Sequence, residues 1–152
     1  MKQQTQVNIS ANVEIIIPFH DIDAMNIVWH GHYYKYFEIA RTKLLKLISM
    51  GPQEMYDYGY QWPVIESSCR YIQAIRYDQN ISVTATIIEY EHRLKISYLI
   101  QNEQQSIRLA KGSTTKVAVD LKSKELLLNS PDILCNNIRN YSGHPSFSPF
   151  LR

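Results

Sequence analysis

The sequence predicts an α+β domain in which one antiparallel sheet curves around one long helix. Three observations predict it: a short β-branched run at 12–18, a helix-periodic apolar segment from Gly31 to about Met50, and a stretch from Gln61 to Asp120 whose apolar residues recur at every second position. With 152 residues the chain has the length of one ordinary domain and buries roughly two-thirds of its unfolded surface.

Asn12-Val-Glu-Ile-Ile-Ile-Pro18 reads as the first strand, stopped where proline removes a backbone donor. Beyond Gly31, Tyr33, Phe37, Ala40, Leu44 and Leu47 recur at three-and-four spacing, while Tyr36, Ile39, Leu45 and Ile48 widen the apolar surface on neighbouring faces. A helix so broadly apolar is covered on most sides, and Gly51-Pro52 marks its end. A turn-rich link from Met55 to Gly59 leads into the β region. There Ile81, Val83, Ala85 and Ile87 alternate with Ser82, Thr84 and Thr86, and Leu94, Ile96, Tyr98 and Ile100 repeat the pattern, so each strand buries one face. Breaks near Tyr77 to Asn80, Glu91 to Arg93 and Asn102 to Gln105 divide the region into four strands, and the short connections predict a meander. The folded domain in this reading is 1–128. Residues 129–152, rich in Asn, Ser, Pro and Gly, read as an irregular tail.

Lys plus Arg number 16 against 14 for Asp plus Glu, and no basic run reaches five residues. That dispersion argues against a nucleic-acid-binding face and leaves any anionic ligand to a few local cations. No stretch has the length of a membrane span, and the first ten residues lack the apolar core of a secretory signal. Two cysteines, Cys69 in a strand and Cys135 in the tail, are too few for a disulfide framework. A reduced, cytoplasmic protein is the expectation.

The chemistry concentrates between His20 and Arg41, where two carboxylates, Asp21 and Asp23, and three imidazoles, His20, His30 and His32, reach the entrance of the helix. A helix N-terminus presents unpaired N–H groups and partial positive charge, which can hold a polarised carbonyl beside a carboxylate. That arrangement suits acyl chemistry. Taken alone, the residues leave Asp23 as either an acid/base group or a turn cap, and His30 as either a reactive group or a packed ring. His30 and His32 with Asp21 or Asp23 also have the ligand types of a zinc site, although they straddle a turn and a helix start. Glu38 with Arg41 and Glu66 with Arg70 read as ion pairs on shared faces. Cys69 has no sequence-local base to activate it. Tyr33, Tyr34, Tyr36, Phe37 and Trp62 could wall an aryl or medium-chain acyl group, and core packing accounts for them equally well.

Phe19-His-Asp-Ile-Asp-Ala-Met-Asn-Ile-Val-Trp-His-Gly-His-Tyr33 resembles the active-site loop of hotdog-fold thioesterases of the 4-hydroxybenzoyl-CoA thioesterase type, through Asp21, Asp23, Val28, Trp29, His30, Tyr33 and, further along the helix, Arg41. The resemblance covers about residues 12–122. It implies a hotdog fold, hydrolysis of acyl-CoA or acyl-carrier-protein thioesters, and a homo-oligomer, dimer or tetramer, that needs no metal or cofactor. By position in the motif it implies Asp23 as nucleophile or general base, His30 and Gly31 as carbonyl-polarising groups, and Asp21 and Tyr33 as supports. It also points to Arg93 and Lys95 as contacts for CoA phosphates. Two positions depart from the pattern. Asn26 stands where glycine is common, a residue that tolerates a left-handed backbone, and Phe19 stands where some members carry tyrosine. Two alternatives remain open at this stage: a hotdog 3-hydroxyacyl-thioester dehydratase using Asp23 and His30 as an acid/base pair, and a non-catalytic acyl-CoA sensor.

Overall fold

Proline at position 18 ends the first strand, as its missing N–H requires, and the strand itself is β1, Ser10–Ile16. The computed structural model describes residues 8–143. After a short 3-10 turn at Phe19–Asp21 come α1 (His32–Leu47), α2 (Pro52–Asp57), β2 (Tyr60–Gln61), β3 (Val64–Tyr71), β4 (Asn80–Glu89), β5 (Leu94–Asn102), β6 (Arg108–Lys116), β7 (Val119–Asp120) and α3 (Asp132–Gly143). One five-stranded antiparallel sheet, in the order β1-β4-β5-β6-β3, packs against α1, and β2 and β7 form a separate two-residue ribbon.

The two-residue period places Ile81, Val83, Ala85 and Ile87 of β4 and Leu94, Ile96, Tyr98 and Ile100 of β5 in the core with almost no exposure. Tyr36, Phe37, Ala40, Leu44 and Leu45 of α1 meet them there. Each large side chain so buried stabilises the fold by about 1.5–3 kcal/mol relative to exposure. The Phe37 ring stacks on Tyr98, with centroids 4.4 Å apart and planes 10° from parallel. Gly112 makes room for that stack: a Cβ there would sit 2.3 Å from the Ser68 carbonyl oxygen on β3 and 2.7 Å from the Phe37 ring.

Four expectations need correction. The strands do not form a simple meander, because β4, β5 and β6 follow one another while β3 pairs with β6 at the far edge. The first of the four expected strands, with its break near Tyr77 to Asn80, stops already at Tyr71, and the remaining link, with Ile75 fully buried, is too long for a hairpin. Gly51-Pro52 does not stop α1; the helix ends with Ser49 in a left-handed conformation (φ 55), and Pro52 opens α2, part of the presumed turn-rich link. Finally, residues 132–143 are not an irregular tail but α3, which buries Leu134, Cys135 and Ile138 in the core. Asn137 Nδ2 donates to the Ile48 carbonyl at 3.0 Å, satisfying an acceptor at the end of α1. Of the expected tail, 144–152 lie outside the described residues.

Gly112→Ala should destabilise the protein by about 1–3 kcal/mol, the usual cost of overpacking a core, because neither the Ser68 carbonyl nor the stacked Phe37 ring has room to withdraw. Urea unfolding measures it. A stability equal to wild type would show that β3 and β6 separate freely there.

Candidate active site

The loop before α1 is built around a buried carboxylate. Asp21 is 1% exposed, yet Tyr36 donates to its Oδ2 at 2.6 Å and Lys35 to its Oδ1 at 2.5 Å, both from the first turns of α1. His32 Nε2 and His20 Nε2 each lie 3.8 Å from Oδ1. Burial pushes the Asp21 carboxyl up, but the bonds from Lys35 and Tyr36 and the charges of Lys35 and His32 outweigh it, so its pKa falls below 3.8. Burial and the same bond push the Tyr36 hydroxyl well above its ordinary value, so it stays a donor.

From that anchor the backbone places Asp23. The Asp21 carbonyl accepts from Trp29 N–H at 3.0 Å, Ile22 bridges Val28, and Asp23 N–H donates to the Ile27 carbonyl at 2.9 Å. The turn closes through Asn26 at φ 63, the left-handed conformation that the glycine position of the motif demands and asparagine accepts. Asp23 does cap this turn, its Oδ1 accepting from Met25 N–H at 2.8 Å, while Oδ2 has no partner among the described residues. One reading of the sequence is thus satisfied by one oxygen and leaves the other for chemistry.

Asp23, His30 and Tyr33 line one cleft of about 200 Å³ together with Tyr71 and Gln73. The N–H groups of His30 and Gly31 have no acceptor among the described residues, and both precede the first turn of α1. Trp29 lies across this corner: a Cβ on Gly31 would meet its ring at 2.3 Å. The arrangement offers a free carboxylate oxygen and unengaged amides at the positive end of a 16-residue helix, able to attack or deprotonate and to stabilise an oxyanion.

Tyr71 and Gln73 are absent from the sequence expectations. Tyr71 OH donates to the His30 carbonyl at 2.9 Å, and its ring meets Tyr33 edge-on with centroids 4.7 Å apart. Burial pushes the Tyr71 hydroxyl up to about 12 and raises that of Tyr33 as well, so both stay protonated. Arg93 and Lys95 do not line the cleft within one chain; Arg93 Nε instead donates to Glu89 Oε1 at 3.3 Å. Neither expected ion pair forms among the described residues: Arg41 Nη1 donates to Tyr98 OH at 3.3 Å, and Glu66 and Arg70, four positions apart on a strand, are separated by about 13 Å of backbone. Among the described residues no group of three or more His, Cys, Asp or Glu side chains is placed to hold a metal ion, and no helix is long and apolar enough to cross a membrane.

Because the folded-state pKa of Asp21 is depressed, its contribution to stability is present above about pH 4 and is lost as pH falls through that lowered value. Tyr36→Phe removes one bond to the charged form and should cost about 2 kcal/mol at pH 7, a cost that shrinks as pH falls through the lowered pKa of Asp21. Urea unfolding at pH 7 and along an acid series measures both. A cost independent of pH would assign it to packing.

Residues 17–138 match the family model described as the Thioesterase-like superfamily. YneP of Bacillus subtilis (strain 168), provisionally named an acyl-CoA thioesterase, is 26% identical over 111 residues, covering 72% of this chain and 80% of its own length. The solved structure of Slr0204, a 1,4-dihydroxy-2-naphthoyl-CoA thioesterase from Synechocystis, superposes with a TM-score of 0.77 at 19% identity, covering 90% of this chain and 99% of that one. A DHNA-CoA thioesterase from Staphylococcus aureus superposes with a TM-score of 0.71 at 23% identity, covering 78% and 80%. The structural likeness establishes the hotdog fold that the motif implies. The family match runs from the residue after β1 into α3 and takes in Asp21, Asp23, His30, Tyr33 and Tyr71, so the chain belongs to the thioesterase-like superfamily.

Proposed function

We propose that this protein hydrolyses acyl-CoA thioesters in the cleft beside Asp23. The observation that carries the reading is the pairing, at the entrance of α1, of a carboxylate oxygen and two amide N–H groups that all lack partners among the described residues. Asp23 Oδ2 either attacks the thioester carbonyl carbon, or takes a proton from a water that attacks it. The His30 and Gly31 N–H groups hold the oxyanion, and collapse breaks the C–S bond and releases the CoA thiol. On the direct route, water then hydrolyses the mixed anhydride and restores the carboxylate. Cys69 is no rival nucleophile, since burial raises its thiol pKa. His30 makes no hydrogen bond to Asp23 among the described residues, which favours hydrolysis over a dehydratase acid/base pair. The tyrosines of the cleft suit an aryl acyl group, in keeping with the naphthoyl-CoA thioesterase named among the neighbours.

The working unit in this proposal is a homo-oligomer built on a dimer. The outer strand β3 is exposed along almost its whole length, with Val64, Ile65 and Tyr71 each more than 40% exposed, an edge that protein sheets seldom leave bare. Antiparallel pairing of two β3 edges about Ser67–Ser68 covers it. Such a two-fold contact carries the Val64 end of one copy to the Tyr71 end of the other. Val64 lies in register with Lys116 and Leu94, so Arg93 and Lys95 of the second copy then approach the cleft, where they are the proposed contacts for the CoA phosphates.

Purified protein incubated with acyl-CoAs from acetyl to benzoyl and palmitoyl should release free thiol, fastest with an aryl acyl group. Asp23→Asn should reduce turnover at least about 10²-fold with an unchanged melting temperature. Wild-type rates in that variant would remove Asp23 from the mechanism. Absence of thiol release from every CoA ester and from an acylated carrier protein would overturn the hydrolytic reading.

A further inference from the structure

The two amides proposed to receive the oxyanion differ in what holds them. Trp29, His30, Gly31 and His32 form a tight turn at the head of α1, closed by the His32 N–H donating to the Trp29 carbonyl at 3.0 Å. Its central peptide joins His30 to Gly31, and Gly31, at φ -69 and ψ -22, gives the turn its type I form. The third position of such a turn decides whether that peptide can rotate by about half a circle into the type II form, which needs a positive φ there. Glycine accepts that conformation and other residues resist it. In a trans peptide the carbonyl oxygen and the N–H point opposite ways, so the rotation replaces the Gly31 N–H with the His30 carbonyl oxygen. An acceptor in that place repels an oxyanion. A contact that holds one end of the peptide therefore decides whether the turn can serve the reaction.

Tyr71 of β3 makes that contact. Its hydroxyl donates to the His30 carbonyl at 2.9 Å, and no backbone N–H reaches this carbonyl among the described residues. Rotation of the peptide carries the oxygen away from the hydroxyl and breaks the bond. The ring is fixed in its turn, edge-on to Tyr33 in α1 with centroids 4.7 Å apart and edge-on to the His30 ring at 6.3 Å. A donor on the carbonyl also draws charge along the peptide and strengthens the N–H at its other end as a donor. We infer that Tyr71 is a positioning residue, which holds the His30–Gly31 peptide in the orientation that offers the Gly31 N–H to the oxyanion. It acts through the peptide and touches no reacting atom, and the inference rests on the hydrolytic reading of the cleft. The Cys69 thiol lies within hydrogen-bonding reach of the same hydroxyl and supplies a control.

Tyr71→Phe, which keeps the ring and removes the hydroxyl, tests this in the full chain with benzoyl-CoA. Its kcat should fall at least about tenfold, a part of the roughly 10²- to 10³-fold that loss of an oxyanion donor costs. KM should stay within about threefold and the melting temperature should not change, because the lost contact serves the transition state rather than binding or folding. Cys69→Ala, which leaves the bond to His30 in place, should keep the wild-type kcat. A second readout needs no turnover. In Asp23→Asn the infrared carbonyl stretch of bound benzoyl-CoA, isotope-labelled at the carbonyl carbon, should lie below that of the free thioester, and adding Tyr71→Phe should move it back toward the free value. A wild-type kcat in Tyr71→Phe, a loss confined to KM, an equal kcat loss in Cys69→Ala, or one carbonyl stretch with and without the hydroxyl would each overturn the role of Tyr71. All four leave the loss of turnover in Asp23→Asn, and with it the hydrolytic reading, standing. Absence of thiol release from every acyl thioester would overturn the reading and this inference together.

Discussion

The buried carboxylate of Asp21 is the contact on which the site depends. An ionised side chain with 1% exposure is strongly unfavourable unless its lone pairs are filled, and here they are filled by Tyr36 and Lys35, two consecutive residues of α1. The consequence is mechanical. Asp21 ties the loop to the helix it precedes, while its own carbonyl holds Trp29 from the other side. Between those two ties the chain has room for one tight turn, and Asp23 sits at its start. The catalytic carboxylate in the proposed reaction is thus placed by a neighbour that takes no part in the chemistry.

That tie is useful only if α1 itself is immobile, and the sheet supplies this. Phe37 stacked on Tyr98 over the missing side chain of Gly112 fixes the depth of the helix, and Asn137 of α3 closes its far end. The strand order adds the remaining wall: because β3 lies beside β6 rather than β4, Tyr71 and Gln73 arrive at the start of α1 instead of at the opposite edge. The same order leaves β3 bare on its outer side. Site construction and the proposed dimer contact are therefore two results of one topological choice.

The periodic parts of this arrangement are readable from the chain alone, because burial of one face imposes a period of two on β4 and β5 and of nearly four on α1. Asp23, His30 and Tyr33 are readable for a related reason: they belong to one contiguous segment whose turn and helix start are local events. Asn26 belongs with them, its φ of 63 being what its chemistry permits at a glycine position. What escapes the sequence is non-local. Tyr71 reaches His30 across 41 positions, and nothing near Tyr71 signals it without the strand order. The helix α3 is a different case, for Ile133, Leu134, Ile138 and Tyr141 carry a helical spacing that the surrounding asparagines and serines obscure.

A crystal structure of Asp23→Asn with intact benzoyl-CoA tests the central claim most directly. The account predicts the thioester carbonyl carbon about 3–3.5 Å from the side chain at position 23, with its oxygen about 3 Å from the His30 or Gly31 N–H. A thioester bound away from the entrance of α1, or with its carbonyl turned from those amides, would contradict it.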